Sequence, residues 1–425
     1  MISTFTILGG GSAYAPGLLA ALIHHAGRLH LTEVRLHDLH LEHLEIVARL
    51  GARLAEVAGA PFRVVAEPDL ERALTGVDAV LNSTRPGGFP CRRLDETLPV
   101  ELGLPGQETV GPGGFLFALR SIPQALDVAA RLTRLAPRAT LLNYTNPTNL
   151  VTQALVDSGF TRVVGLCDQA EGDLAALAEA LGHKGEPVSF RCSGLNHATW
   201  YTDVRVGGRE VLPLQRELPI PRWVDEEHEL RFAFSVALAE PHDGWWPNSY
   251  LPYYTHADRF VALTHRVGPR TDAITAKLPF YYRHFEEEGG REAPVLRHHR
   301  GNADFGDLAV RVLEALGAAR PSSIVLNVPN EGASPDFGGD TVVEIVTRLE
   351  AEGLERPRAP RLPRDTLDLL RKLERYQRLT AEAVLGGGDL VKALAANPLV
   401  GSGATAEKLL TRARRAYGPD IPLLG

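Results

Sequence analysis

Ser3-Thr4-Phe5-Thr6-Ile7-Leu8-Gly9-Gly10-Gly11-Ser12 is the stretch from which the fold can be read. Ser3–Leu8 is apolar and β-branched, as a short buried strand must be, and three glycines follow it directly. Leu18 to Ile23 then carries a compact apolar pattern with helical spacing. A strand that ends in glycines and opens a helix is a phosphate-binding arrangement. Glycines let the backbone approach a pyrophosphate, and the helix N-terminus presents free N–H groups and the positive end of its dipole. Gly9, Gly10, Gly11 and Ser12 are therefore the candidate dinucleotide cradle. Val34–Leu36 is the next short strand, ending at Asp38. An acid at that place takes the ribose 2′-OH and repels a 2′-phosphate, so NAD is expected rather than NADP. Tyr14 stands where the G-x-G-x-x-G pattern has its third glycine. A tight turn that binds nothing would also use such glycines; the strand before, the helix after and the acid at the right distance favour the nucleotide.

Working outward, strands and helices alternate. Phe62–Ala66, Val77–Asn82, Ala139–Asn143 and Arg162–Leu166 read as short strands. Leu41–Ala58, Ser121–Leu135, Pro147–Val156 and Ala170–Leu181 read as helices. Such alternation predicts parallel βαβ units and a Rossmann-like, doubly wound α/β sheet. The pattern changes after about residue 187. Val188–Cys192 and Tyr201–Val206 read as strands, with Gly207-Gly208 as a two-residue hairpin turn. Residues 215–300 are rich in aromatics, Pro and His and resist assignment. Ser323–Val328 is one more strand, and Leu367–Leu385 and Ala404–Ala416 read as helices. We expect a dinucleotide domain over 1–190 and a mixed α+β domain over 191–425.

Composition excludes several classes. The chain has 425 residues, 44% of them hydrophobic, which is ample for a buried core. Lys and Arg number 45 against 52 Asp and Glu, a net charge of −7, so a basic nucleic-acid-binding face is not expected. No run of about 18 apolar residues is present to span a membrane. The N-terminus enters an apolar run without a basic region or cleavage site, so a signal peptide is not expected either. Cys91, Cys167 and Cys192 cannot all pair and match no zinc-finger spacing, which suits a reducing, cytoplasmic compartment.

A set of short motifs stands in one order. It comprises Gly9-Gly10-Gly11-Ser12-Ala13-Tyr14, Arg85-Pro86-Gly87-Gly88, Gly106-Gln107-Glu108-Thr109 with Gly113-Gly114, Asn143-Tyr144-Thr145-Asn146-Pro147, Gly165-Leu166-Cys167 and Gly194-Leu195-Asn196-His197. The set resembles glycoside hydrolase family 4, the NAD- and Mn-dependent glycosidases, and within it the 6-phospho-glucosidases. Weaker similarity continues through Tyr250-Leu251-Pro252-Tyr253-Tyr254, Asn327-Val328-Pro329-Asn330 and Ala395–Val400, nearly to the end of the chain. The resemblance implies a lactate/malate dehydrogenase-like architecture. It also implies hydrolysis by redox-assisted elimination: oxidation at sugar C3, removal of the acidified C2 proton, departure of the C1 substituent, water addition and re-reduction.

By the same resemblance Cys167 and His197 ligate Mn2+ or another divalent metal, with substrate hydroxyls completing the shell. A thiolate is an unusual donor for manganese, and two protein ligands imply weak, substrate-assisted binding. From residue type alone, a buried structural Cys and a satisfied His fit as well. Tyr250 aligns with the base that removes the C2 proton; an unperturbed phenol titrates at about 10, so a nearby cation or metal is required. Tyr253 and Tyr254 are rivals within that motif. Asp168 is either an acid that protonates the leaving oxygen or a cap for the following helix. It resembles the α-acting members, whereas Arg85-Pro86-Gly87-Gly88 resembles the β-acting ones. Arg92, Asn146 and Arg270 align with residues that bind the phosphorylated sugar, and guanidinium suits a phosphate. Arg300-Gly301-Asn302 resembles a further family segment. His298-His299 reads as a solvated pair rather than a metal site.

The resemblance implies a 6-phospho-glucosidase, the β-acting form first, assembled as a homodimer or homotetramer. The α-acting form, a galactosidase or uronidase of the same family, an NAD-dependent 2-hydroxy-acid dehydrogenase and a non-catalytic sensor are the competing expectations.

Overall fold

The computed structural model describes residues 2–214, 218–220, 225–301, 303–317, 320–350 and 353–424. Six short strands form a parallel sheet: β1 (Thr4–Leu8), β2 (Glu33–His37), β3 (Arg63–Ala66), β4 (Ala79–Asn82), β5 (Thr140–Asn143) and β6 (Val163–Gly165). Their spatial order, β3-β2-β1-β4-β5-β6, is the doubly wound arrangement expected from the alternation. The strand period of two divides the side chains between two cores. Phe5 and Ile7 of β1 and Ala79 and Leu81 of β4 join the helices Ala15–His24 and Leu41–Val57 on one face. Leu8 and Val80 join the helices Gly111–Leu135 and Thr148–Asp157 on the other.

A second sheet follows, of β7 (Val188–Leu195), β8 (Ala198–Val206), β9 (Arg209–Glu210) and β10 (Trp245–Pro247). Gly207 and Gly208 form the expected turn between β8 and β9; both have positive φ, +56° and +79°, which matches the twist of a two-residue hairpin. The chain then returns to the first sheet. β11 (Ser322–Pro329) pairs antiparallel with β6, and β12 (Val342–Glu350) and β13 (Gly353–Glu355) extend that edge to nine strands. The expected boundary at 190 therefore lies inside β7, and the large sheet is completed from both sides of it. Strand–helix alternation reports how neighbouring strands connect, not which sheet a later strand will join.

The helix expected from Ser121 begins at Gly111 and runs through Pro123. Gly113 and Gly114 belong to its first turns because the backbone of Asp95, Gln107 and Thr109 packs directly on them. A Cβ on Gly113 would lie 2.3 Å from the Gln107 carbonyl oxygen. In the stretch that resisted assignment, the described residues form the helices Glu226–Ala239, Ala257–Val267 and Leu278–Gly289, with β10 among them. No helix among the described residues is long and apolar enough to cross a membrane.

Candidate active site

The glycine turn is built as the sequence requires. Gly9 has φ +84°, and the N–H groups of Gly9 and Gly10 both donate to the His37 carbonyl at 2.9 Å. A Cβ on Gly10 would sit 2.7 Å from Leu36 Cβ, and one on Gly11 would sit 2.9 Å from Leu44 N. The Asp38 carboxylate accepts from the N–H groups of Gly11 and His40, each at 3.0 Å. Glycine cradle and acid are thus one unit, as a dinucleotide site needs. Three rings that the sequence did not single out flank it. His43 is stacked between His40 and Tyr282, 3.7 Å from each, and the Tyr282 hydroxyl donates to the Gly11 carbonyl at 2.8 Å. Tyr282 is 271 residues from Gly11, too far for any local pattern to signal.

A cavity of about 580 Å³ opens beyond the C-terminal ends of β4, β5 and β6. Open α/β sheets bind ligands at this edge. Cys167, Asp168, His197, Tyr250, Arg92, Asn146 and Arg270 all line it, so seven of the expected site residues meet in one space. Cys167 follows β6, and His197 forms the tight turn between β7 and β8 with φ +61°. Cys167 Sγ and His197 Nε2 are 3.5 Å apart. One cation bound at roughly 2.3 Å from sulfur and 2.1 Å from nitrogen would place the donors roughly 3.1–3.6 Å apart for angles of about 90–110°. The pair therefore fits a shared metal. Burial, with Arg231 nearby, holds the His197 imidazole down at about 3, so its ring is neutral, as a ligand must be. Among the described residues no group of three or more His, Cys, Asp or Glu is placed to hold a metal. His298 is exposed and His299 half-buried, and neither lines the cavity; Asn302 lies outside the described residues.

Tyr250 stacks on His197 with ring centroids 4.1 Å apart. The Arg231 guanidinium lies 3.8 Å from the Tyr250 centroid. Burial pushes the phenol above its ordinary value, and the nearby Arg231 and Arg270 offset only part of that rise. Its rivals are placed otherwise. The Tyr253 hydroxyl donates to Glu227 at 2.6 Å, and neither Tyr253 nor Tyr254 lines the cavity. The Tyr250 loop is held through its neighbour Ser249. The Ser249 N–H donates to Asp173 at 3.1 Å, its carbonyl accepts from Arg231 Nε at 3.0 Å, and its hydroxyl also accepts from Arg231. Arg231 is fully buried and was missed because it sits in the stretch without readable periodicity.

Asp168 occupies the N-cap position of the helix Gln169–Ala180, yet its side chain makes no capping hydrogen bond. It lines the cavity instead. Asn146 is joined to Pro147 by a cis peptide bond, and its side-chain oxygen accepts from Thr148 at 3.3 Å.

The arginines differ among themselves. Arg92 is 2% exposed, donates to Glu96 at 2.7 Å and lies 3.0 Å from Glu108. Glu108 is paired with Arg85 as well. Burial acts to raise the Glu108 carboxyl, but Arg85, Arg92 and Arg300 overcome it and hold it at about 2. Arg92 thus has two carboxylate partners and also lines the cavity. Arg270 has looser carboxylate neighbours, Glu227 at 3.6 Å and Asp225 at 3.9 Å. Arg300 stacks over Tyr14 at 4.6 Å and lines the cavity. Among the described residues no carboxylate forms an ion pair with it, although Glu108 lies near enough to act on its charge. Tyr14, in the place of the third glycine, therefore carries part of the cavity wall. Glu108, Arg85 and Arg300 stood within quoted motifs, but nothing in those motifs indicated that they would meet.

Known proteins resemble this chain along most of its length. Residues 4–183 match the model of the family 4 glycosyl hydrolases, and residues 192–400 match the model of the family's C-terminal domain. A 6-phospho-α-glucosidase of Lacticaseibacillus paracasei is 29% identical over 365 residues, covering 82% of each chain. A 6-phospho-β-glucosidase of Escherichia coli is 28% identical over 430 residues, covering 98% of this chain and 95% of its own. A 6-phospho-α-glucosidase from gut microorganisms, solved in complex with NAD and Mn2+, superposes with a TM-score of 0.90 at 24% identity over 99% of both chains. The malate dehydrogenase of Cryptosporidium parvum shares the architecture more distantly, with a TM-score of 0.54 at 14% identity over 91% of this chain and 99% of its own. A glycine cradle, a cysteine–histidine pair beyond β6 and two family models covering most of the sequence lead to one assignment: the chain belongs to family 4 of the glycosyl hydrolases.

Proposed function

We propose that this chain hydrolyses the O-glycosidic bond of 6-phospho-glucosides, with NAD and a divalent metal, Mn2+ by preference, as its cofactors. The observation that carries the proposal is the meeting, in one cavity, of the Cys167–His197 pair at 3.5 Å with Tyr250 stacked on that histidine. When bound, NAD supplies a reversible hydride acceptor for the sugar C3, and the metal polarises the neighbouring sugar oxygens. Gly9, Gly10, Gly11 and Ser12 cradle the dinucleotide phosphates, and Asp38 takes the ribose. Cys167 and His197 hold the metal. Tyr250 takes the C2 proton; Arg231 beside its ring favours the phenolate. Asp168, at the cavity wall, donates a proton to the leaving oxygen. Asn146 orients the sugar, and Arg270 and Arg300 receive the 6-phosphate as planar guanidinium donors. Arg92 supports them by fixing Glu108.

The curated relatives include both α- and β-acting 6-phospho-glucosidases. In this chain Arg85–Gly88 supports the β-linked substrate, which we place first, and Asp168 supports the α-linked one. Residues 1–190 would hold the dinucleotide, and residues 191–425 would close the sugar side and carry the contacts of a homodimer or homotetramer. Three free cysteines suit a cytoplasmic enzyme. The deciding experiment is a panel of p-nitrophenyl α- and β-glycosides, with and without a 6-phosphate, assayed with NAD and Mn2+. Cleavage of the phosphorylated glucosides without accumulation of NADH is expected. Steady NADH formation from a 2-hydroxy acid would overturn the proposal in favour of a dehydrogenase.

A further inference from the structure

Glu344 is a carboxylate with no evident employment. It lies on β12, is 1% exposed, and does not line the cavity. No cation pairs with it among the described residues; its neighbours are three neutral donors. Asn196 Nδ2 donates to its Oε1 at 2.7 Å, Asn327 Nδ2 donates to the same oxygen at 3.2 Å, and the Thr199 hydroxyl is 2.5 Å from Oε2. Neutral hydrogen bonds do not replace a counter-ion, and an unpaired buried charge is costly.

The neighbours indicate where the missing positive charge belongs. Asn196 immediately precedes His197, and Thr199 follows it by two residues on β8, so two of the three donors lie in or beside the turn that presents the imidazole. Asn327 stands opposite Glu344 in the β11–β12 register and opposite Gly165 in the β11–β6 register, two residues before Cys167. Gly165 is obligatory there, since a Cβ would fall 2.7 Å from Asn327 Cβ. Glu344 is thus tied on one side to the His197 turn and on the other to the strand that delivers Cys167.

We propose that Glu344 is the buried counter-charge and positioning residue of the metal centre: it does not ligate, but its carboxylate fixes the His197 turn through Asn196 and Thr199 and is compensated only when a dication sits between Cys167 and His197. The inference rests on the reading of those two residues as metal ligands. Outer groups of this kind tune metal affinity by about 10–100-fold.

Glu344→Gln separates charge from shape. The amide oxygen keeps both asparagine bonds, and the amide N–H₂ donates to Thr199, whose hydroxyl already reaches the Leu195 carbonyl at 2.9 Å. The full-length protein is titrated with cobalt(II) alone, following the thiolate-to-cobalt absorption band, with Cys167→Ser as the control. In E344Q the cobalt Kd is expected to rise about tenfold or more, while the metal-free Tm stays level or rises. A Kd within twofold of wild type, with the band intact, overturns this inference and leaves the metal pair standing. A metal-free Tm that falls sharply also overturns it, because a purely structural carboxylate would behave so. A wild-type titration indistinguishable from C167S overturns both.

Discussion

The Arg231 guanidinium lies 3.8 Å from the centroid of the Tyr250 ring, and both side chains line the same cavity. Arg231 also donates to the Ser249 backbone, so one cation both positions the tyrosine loop and lies next to the phenol. A phenolate beside a buried guanidinium gains charge stabilisation that water would screen. Arg231→Ala is expected to slow exchange of the substrate C2 proton with D2O at least tenfold, and Tyr250→Phe to slow it further. NAD affinity should be unchanged in both. Normal exchange in Y250F would remove Tyr250 from the role of base.

Cys167 and His197 stand at the cavity wall 3.5 Å apart, a metal-compatible separation. Cys167→Ser is expected to abolish metal-dependent turnover with little change in Tm, since the side chain is similar in size. Activity that no longer responds to chelator or added Mn2+, yet equals wild type, would show that the pair holds no metal.

Arg92 and Arg300 should behave differently. Removing Arg92 leaves Glu96 and Glu108 buried beside a lost partner, and breaking a buried pair in this way costs about 3–5 kcal/mol. Arg92→Ala is therefore expected to lower Tm and impair all substrates together. Arg300, whose charge is not paired with a carboxylate among the described residues, is expected on Arg300→Ala to raise KM for phosphorylated glucosides selectively. The comparison of KM with and without the 6-phosphate checks both expectations.

Glu108 gives the acid limb of stability a definite sign. Its carboxyl is held at about 2, below its ordinary 4.5. A group depressed on folding stabilises the native state above its unfolded value, and that contribution fades as pH falls. It should be complete above about pH 4.5 and lost progressively toward pH 2. Thermal unfolding followed across this window should show a shallower acid dependence in Glu108→Gln than in wild type, on a lower plateau.

Tyr282 closes the nucleotide turn from a distant helix by its bond to the Gly11 carbonyl, 2.8 Å long. Tyr282→Phe leaves that acceptor unmet at a cost of about 1 kcal/mol, which corresponds to roughly a fivefold weaker NAD Kd if the turn is ordered by it. Calorimetric titration with NAD measures this, and an unchanged Kd would show that the turn is rigid without the tyrosine.

The strand, glycines and acid from Ser3 to Asp38 were determined by local sequence alone, because φ freedom, β-branching and a period of two act within a few residues. The same holds for the hairpin at Gly207-Gly208. The motifs also named seven cavity residues: Asn146, Cys167 and Asp168 follow strands whose identity is local, whereas Arg92 and Arg270 lie on helices. What only the tertiary structure decided were relations across the chain. Antiparallel β11–β13 joined the sheet at β6 because backbone edges pair with whatever strand is brought to them, not with their sequence neighbours. Arg231 met Tyr250, Tyr282 met Gly11, and Glu344 met Asn196 by packing over long separations. Arg92 is alike in sequence whether its charge is free or matched; only the burial of Glu96 and Glu108 beside it settled that it is matched.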